Sequence, residues 1–73
     1  MYESIGQLIR HHRIKCNKTQ IEVASKVGIS RNYLSDIEND RYIPSVPVLV
    51  ALSKMLGIDL NFLTNMTEIQ VKM

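Results

Sequence analysis

The chain has little of what small folds use as staples and turns: one cysteine, two prolines, three glycines and no tryptophan in 73 residues. A lone Cys16 forms no internal disulfide, and no Cys/His set is clustered as a structural zinc site requires, so no metal or cofactor is expected. Stability then has to come from apolar packing, and the thiol usage suits a reducing, cytoplasmic setting. Scarce glycine and proline argue against a β domain of many turns. Long hydrophobic runs are missing too. Residues 46 to 52 are broken by Pro47 and fall far below the roughly 18 residues of a membrane span. The start "MYESIGQLIRHH" lacks the basic-then-apolar order of a signal peptide. A soluble chain with room for one core, and no membrane partner, is the expectation.

Charge of one sign is scarce over part of the chain. The net charge is only +2, yet Arg10, Arg13, Lys15, Lys18, Lys26 and Arg31 face Glu22 alone between residues 10 and 31, with His11 and His12 in addition. A solvated surface and an electrostatic footprint for phosphates both fit that distribution.

Helix punctuation, by contrast, is plentiful. Ser4 followed by Gln7 and Thr19 followed by Glu22 fit the capping box, and Ser30, Ser45 and Asp59 each precede an apolar-periodic run. Asn17 and Gly28 stand where a left-handed residue ends a helix, and Pro47 stands in a first turn. The spacing predicts five helices at about 4 to 16, 20 to 27, 31 to 39, 46 to 56 and 60 to 65. Their expected core faces are Ile5, Ile9, His12 and Cys16; Ile21, Ala24 and Val27; Leu34 and Ile37; Val46, Leu49, Val50, Leu52 and Leu56; and Leu60 with Leu63. Residues 67 to 73 alternate as a strand does, so this tail is read either as a disordered or frayed end or as an edge paired with its own copy.

Within "TQIEVASKVGISRNYLSDIEN", residues 19 to 39, a short capped helix carries the small Ala24, turns at Gly28 and leads into a second capped helix closed by Leu34 and Ile37. Two steeply crossing helices need a small side chain at their approach and a glycine to reverse the chain. This is a helix-turn-helix pattern. Together with "IGQLIRHHR" at 5 to 13, "PSVPVLVALSKMLGI" at 44 to 58 and "DLNFL" at 59 to 63, it resembles the phage repressor and Cro type of regulator, the xenobiotic-response-element family.

The resemblance implies an all-α, five-helix, lambda-repressor-like DNA-binding domain over residues 1 to 66, with helices 2 and 3 as the helix-turn-helix. It also implies a small bacterial, phage or mobile-element transcription regulator rather than an enzyme, with no catalytic residues. Its second motif helix would read base edges in the major groove through Arg31, Asn32, Ser35 and Asp36. Arginine suits guanine, asparagine suits adenine and aspartate suits the cytosine amino group. Tyr33 is left between a sugar or thymine contact and plain core packing. Gln20 would bind phosphate with Thr19 at a helix N-terminus, and Lys18, Asn39 and Arg41 flank the same face. Arg13 and Glu38 occupy positions that form a partly buried ion pair in many members.

Two departures stand out: Asp40 replaces the usual glycine after "IEN", and His12 occupies a position commonly apolar. His12 and Cys16 have the spacing of a metal pair, but two ligands do not complete a site. The fourth and fifth helices carry more apolar residues than so small a domain is expected to cover. Val48, Leu52, Met55, Ile58, Leu60, Phe62, Leu63 and Met66 are therefore the expected homodimer surface for a palindromic operator. The alternative is a protein-interaction module, antitoxin-like or anti-repressor, working through those helices and the tail.

Overall fold

A computed structural model describes residues 4–63. Met66 and the tail at 67–73 lie outside the described residues, and with them the two readings of that tail. Four helices run in order: α1 (Ile5–Lys15), α2 (Gln20–Val27), α3 (Arg31–Glu38) and α4 (Val46–Leu56). A fifth helical segment opens at residue 60 and is described to residue 63. Among the described residues there is no strand, and no helix is long and apolar enough to cross a membrane.

Helix starts follow the side chains that cap them. Ser4 Oγ accepts from Gln7 N at 3.1 Å, and Ser30 Oγ accepts from Tyr33 N at 3.0 Å. Thr19 and Glu22 close a complete capping box, Glu22 N to Thr19 Oγ1 at 3.1 Å and Thr19 N to Glu22 Oε1 at 2.9 Å. Ser45 makes no side-chain cap bond, and α4 relies instead on a proline in its first turn.

Helix ends follow one geometry four times. Asn17, Gly28, Asp40 and Gly57 all have positive φ. After each, the next N–H reaches back to a carbonyl of the last turn: Lys18 to Arg13 at 3.2 Å, Ile29 to Ala24, Arg41 to Asp36 and Ile58 to Ser53, each of these three at 2.9 Å. This six-to-one bond satisfies carbonyls that the helix leaves open.

The core gathers Ile5, Leu8 and Ile9 of α1, Val23 and Ala24 of α2, Leu34 and Ile37 of α3, Leu49, Leu52 and Leu56 of α4, and then Ile58 and Leu63. Several expected faces are turned. On α1 the stripe is Ile5, Leu8, Ile9, and it drifts off the core before His12, which is half-buried, and Cys16, which is exposed. On α2 Val23 is buried while Ile21 is 65% exposed. Val46 is 67% exposed, because it starts a helix whose core contacts begin at Leu49.

The expected dimer surface is corrected as well. Leu52, Ile58 and Leu63 are buried within the single chain, so they are not available to a second copy. Val48, Met55 and Leu60 are half-buried and Phe62 is exposed.

The N-terminus of α1 meets the C-terminus of α3 with little clearance. A Cβ on Gly6 would run into Ile37 O, and would come within 2.6 Å of Asp40 Oδ1 and 2.8 Å of Glu38 O. The departure at position 40 contributes here. Asp40 Oδ1 accepts from Gly6 N at 3.1 Å and Oδ2 accepts from Ser4 Oγ at 2.7 Å, so a carboxylate sits where the helix dipole favours negative charge.

Candidate nucleic-acid interface

α3 is amphipathic by construction. Leu34, Ile37 and Glu38 are buried, Arg31 and Asn32 are exposed, and Tyr33, Ser35 and Asp36 lie between. Ser30 caps the helix and Gly28 supplies the left-handed turn before it, so the first turn of α3 is presented from a fixed base.

That base is tied down by a charged cluster. Arg13 Nε and Nη2 donate to the two carboxylate oxygens of Glu38 at 2.7 and 3.1 Å, and the side chains are 12% and 1% exposed. The third donor, Nη1, reaches Lys18 O at 2.9 Å, and Gln20 Nε2 donates to Glu38 Oε1 at 3.0 Å. A buried carboxylate with three charge-assisted or amide donors is satisfied rather than stranded. The cluster joins the end of α1, the loop after it, the start of α2 and the end of α3.

Gln20 is therefore positioned by Glu38 at the start of α2. The capping box engages the N–H groups of Thr19 and Glu22, leaving those of Gln20 and Ile21 at the helix end, where an anion is favoured. The Glu22 carboxyl is held below its ordinary range, chiefly by the Thr19 backbone N–H, then by the Thr19 hydroxyl, with Lys18 adding a smaller share. Lys18, Thr19, Gln20, Ile21 and Arg31 line one shallow depression with Arg13. Ile21 was not expected there. Its apolar character assigned it to the core, and only the orientation of α2 reveals it beside Arg31.

Two other expected phosphate residues are placed differently. Asn39 turns back on α3, with Nδ2 donating to Ser35 O at 2.8 Å, and Arg41 Nη1 donates to Asp36 Oδ1 at 3.0 Å. Neither lines the depression that holds Lys18 and Gln20. Tyr33 packs against the core with part of its ring and meets Tyr42, the centroids lying 6.2 Å apart at 53°. Tyr42, 58% exposed, lies in the loop after α3, where no cap or apolar period in the sequence marks it.

Cys16 Sγ points to Leu56 O at 3.8 Å, away from any ligand set. Among the described residues no group of three or more His, Cys, Asp or Glu converges as a metal would require.

Comparison with known proteins decides the family. Residues 9–63 match the helix-turn-helix family, and the ImmF control region 10 kDa protein of Bacillus phage phi105 is 46% identical over 94% of this chain and 76% of its own length. The chain belongs to the helix-turn-helix family of DNA-binding regulators. This helix-turn-helix regulator is also similar to the immunity repressor of the same phage, 43% identical over 80% of the chain but only 40% of that longer protein. Among solved structures, the P22 c2 repressor in complex with a synthetic operator matches with a TM-score of 0.80 and 31% identity, over 85% of this chain and 94% of that one. The fold is thus the lambda-repressor-like arrangement, α2 and α3 forming the helix-turn-helix, in a family of xenobiotic-response-element-type transcription regulators that are not enzymes.

Proposed function

We propose that this regulator binds double-stranded DNA sequence-specifically by laying α3 in the major groove, acting in the cytoplasm as a homodimer on a palindromic operator. The observation that carries the reading is the exposure of Arg31 and Asn32 at the first turn of α3, on a helix whose opposite face is fixed by Leu34, Ile37 and the Glu38 cluster. A rigid mount with arginine and asparagine at its leading end suits bidentate contacts to guanine and adenine. Ser35, Asp36 and the edge of Tyr33 extend that surface along the helix. Lys18, Thr19 and Gln20 border it with phosphate-binding chemistry, and Asn39 and Arg41 stand further along with one donor each already engaged, by Ser35 and Asp36. The dimer reading is supported by exposed Phe62 beside half-buried Leu60 in the segment after α4. Two copies related by a two-fold axis would set their α3 helices about 34 Å apart.

Selection of bound sites from a random duplex pool tests the whole reading. A palindromic consensus is expected, with binding that weakens steeply as salt rises and an Arg31→Ala variant that loses about tenfold or more on the consensus. A well-folded chain that enriches no sequence would refute it. A monomer that binds a single half-site would remove the homodimer alone, and would favour Phe62 as a seat for a different protein.

A further inference from the structure

Two carboxylates of α3, two residues apart, each pair with an arginine from outside that helix, and the pairs are built differently. Arg13–Glu38 is bidentate and buried. Arg41–Asp36 is a single contact of 3.0 Å between side chains 64% and 30% exposed, and among the described residues it is the one partner the Arg41 guanidinium has. The turn that ends α3 produces this second pair. Arg41 N bonds to Asp36 O and Asp40 N to Ile37 O at 3.1 Å, which brings the residue after the left-handed position alongside the carboxylate five residues earlier. The neighbouring side chains are both engaged: Asp40 with Ser4 and Gly6, and Tyr42 with the ring of Tyr33. The exposed guanidinium is left to pivot about a backbone tied to Asp36 O.

We infer that Asp36 and Arg41 exchange partners on the correct DNA site: Asp36 accepts a base amino group while Arg41 swings to a backbone phosphate, and on other DNA the pair stays closed. The inference rests on the reading that α3 enters the major groove. A bare carboxylate facing rows of phosphates would be repelled by every duplex, and Arg41 cancels that charge until it is needed. Cytosine N4 and adenine N6 offer donors to Asp36, whereas guanine O6 and N7 and thymine O4 offer only acceptors. An exposed, single-point ion pair is worth at most a few-fold in equilibrium. It therefore opens when a charge-assisted bond from a base replaces it, and the released guanidinium has five donors for a phosphate. Against an acceptor edge nothing replaces it.

The exchange makes the salt dependence of binding differ between sites, since each neutralised phosphate contributes about 0.9 to the slope of log K against log salt. The test uses the full chain, the duplex selected from a random pool and an unrelated duplex of equal length. Arg41→Gln is expected to lower the slope by about 0.9 on the selected duplex, with no comparable fall on the unrelated one. Asp36→Asn is expected to raise the slope on unrelated DNA by about 0.9, because its arginine is free everywhere, and to relax the base preference at one position of each half-site. The double variant should return the slope on unrelated DNA to the wild-type value. Thermal melts that match the wild type to within a few degrees establish that both variants are folded. Equal losses of slope on both duplexes would make Arg41 a permanent phosphate contact, and no loss on either would make the pair purely structural. Each of these overturns the exchange while leaving α3 in the groove. Failure of the wild type to enrich any site overturns the exchange together with the reading beneath it.

Discussion

Gly6 is the residue at which helix propensity and packing give opposite signs. In an open helix, Gly→Ala gains about 1 kcal/mol; here the added methyl would press on Ile37 O and Glu38 O, backbone atoms that cannot rotate away. Gly6→Ala is expected to destabilise by about 1 to 3 kcal/mol, measured by urea denaturation, and a stabilised variant would mean that α1 and α3 separate at little cost to admit the methyl. Glu38 and Asp36 make a second contrast. Glu38→Ala leaves Arg13 and Gln20 without their shared acceptor, and breaking a buried pair costs about 3 to 5 kcal/mol. Asp36→Ala removes an exposed contact, which is worth under about 1 kcal/mol. Equal melting temperatures for the two would contradict this division. At this scale the sequence was only partly legible: caps name themselves by their chemistry, but Gly6 reads as a neutral helix residue until the facing carbonyls are known. The Asp36–Arg41 contact is likewise a product of the turn between them.

The helices themselves were legible because starts and stops are local. Four left-handed residues, each followed by a six-to-one bond, mark the ends, and the starts carry Ser4, Thr19 and Ser30. Faces were harder. An eight-residue helix such as α2 has about two turns, so Ile21 with Ala24 and Val23 with Ala24 are both acceptable stripes, and only docking on the neighbouring helices selects the second. Docking also divides the apolar residues of α4 and beyond, since Leu52, Ile58 and Leu63 complete the chain's own core. Asp40 is where element ends meet. Asp40→Gly keeps the left-handed turn but loses the bonds to Ser4 and Gly6, while Asp40→Ala loses those bonds and adds backbone strain of about 1 kcal/mol. Thermal melts should rank wild type above Asp40→Gly and Asp40→Gly above Asp40→Ala; an Asp40→Gly variant more stable than wild type would show that the carboxylate contributes less than the strain it brings.

For the molecule as a whole, acidity and assembly are the two levers. His12 is held below the ordinary imidazole value of 6.5, first by burial and then by the positive neighbours His11 and Lys15. The unfolded chain therefore binds more protons than the folded one below that value, and stability falls as the pH drops through 6.5 and levels off only below the folded pKa. Urea melts of wild type and His12→Gln at about pH 7.5 and 5.5 should show a smaller acid loss in the variant. For the proposed homodimer, Phe62→Glu, placing a charge on an exposed ring position, is expected to shift sedimentation toward monomer and weaken operator binding without lowering the melting temperature of the chain. An unchanged sedimentation coefficient would remove Phe62 from the proposed interface. The links between α1 and the far end of α3 carry a kinetic consequence. Ser4 and Gly6 reach Asp40 across 36 and 34 residues, and Arg13 reaches Glu38 across 25, whereas α2 and α3 are joined by a turn of three residues, 28 to 30. Short loops close sooner than long ones, so α2 and α3 are expected to pair before α1 latches on to the end of α3. In native-state hydrogen exchange, the amides of α1 should open as a unit at lower free energy than those of the helix-turn-helix pair.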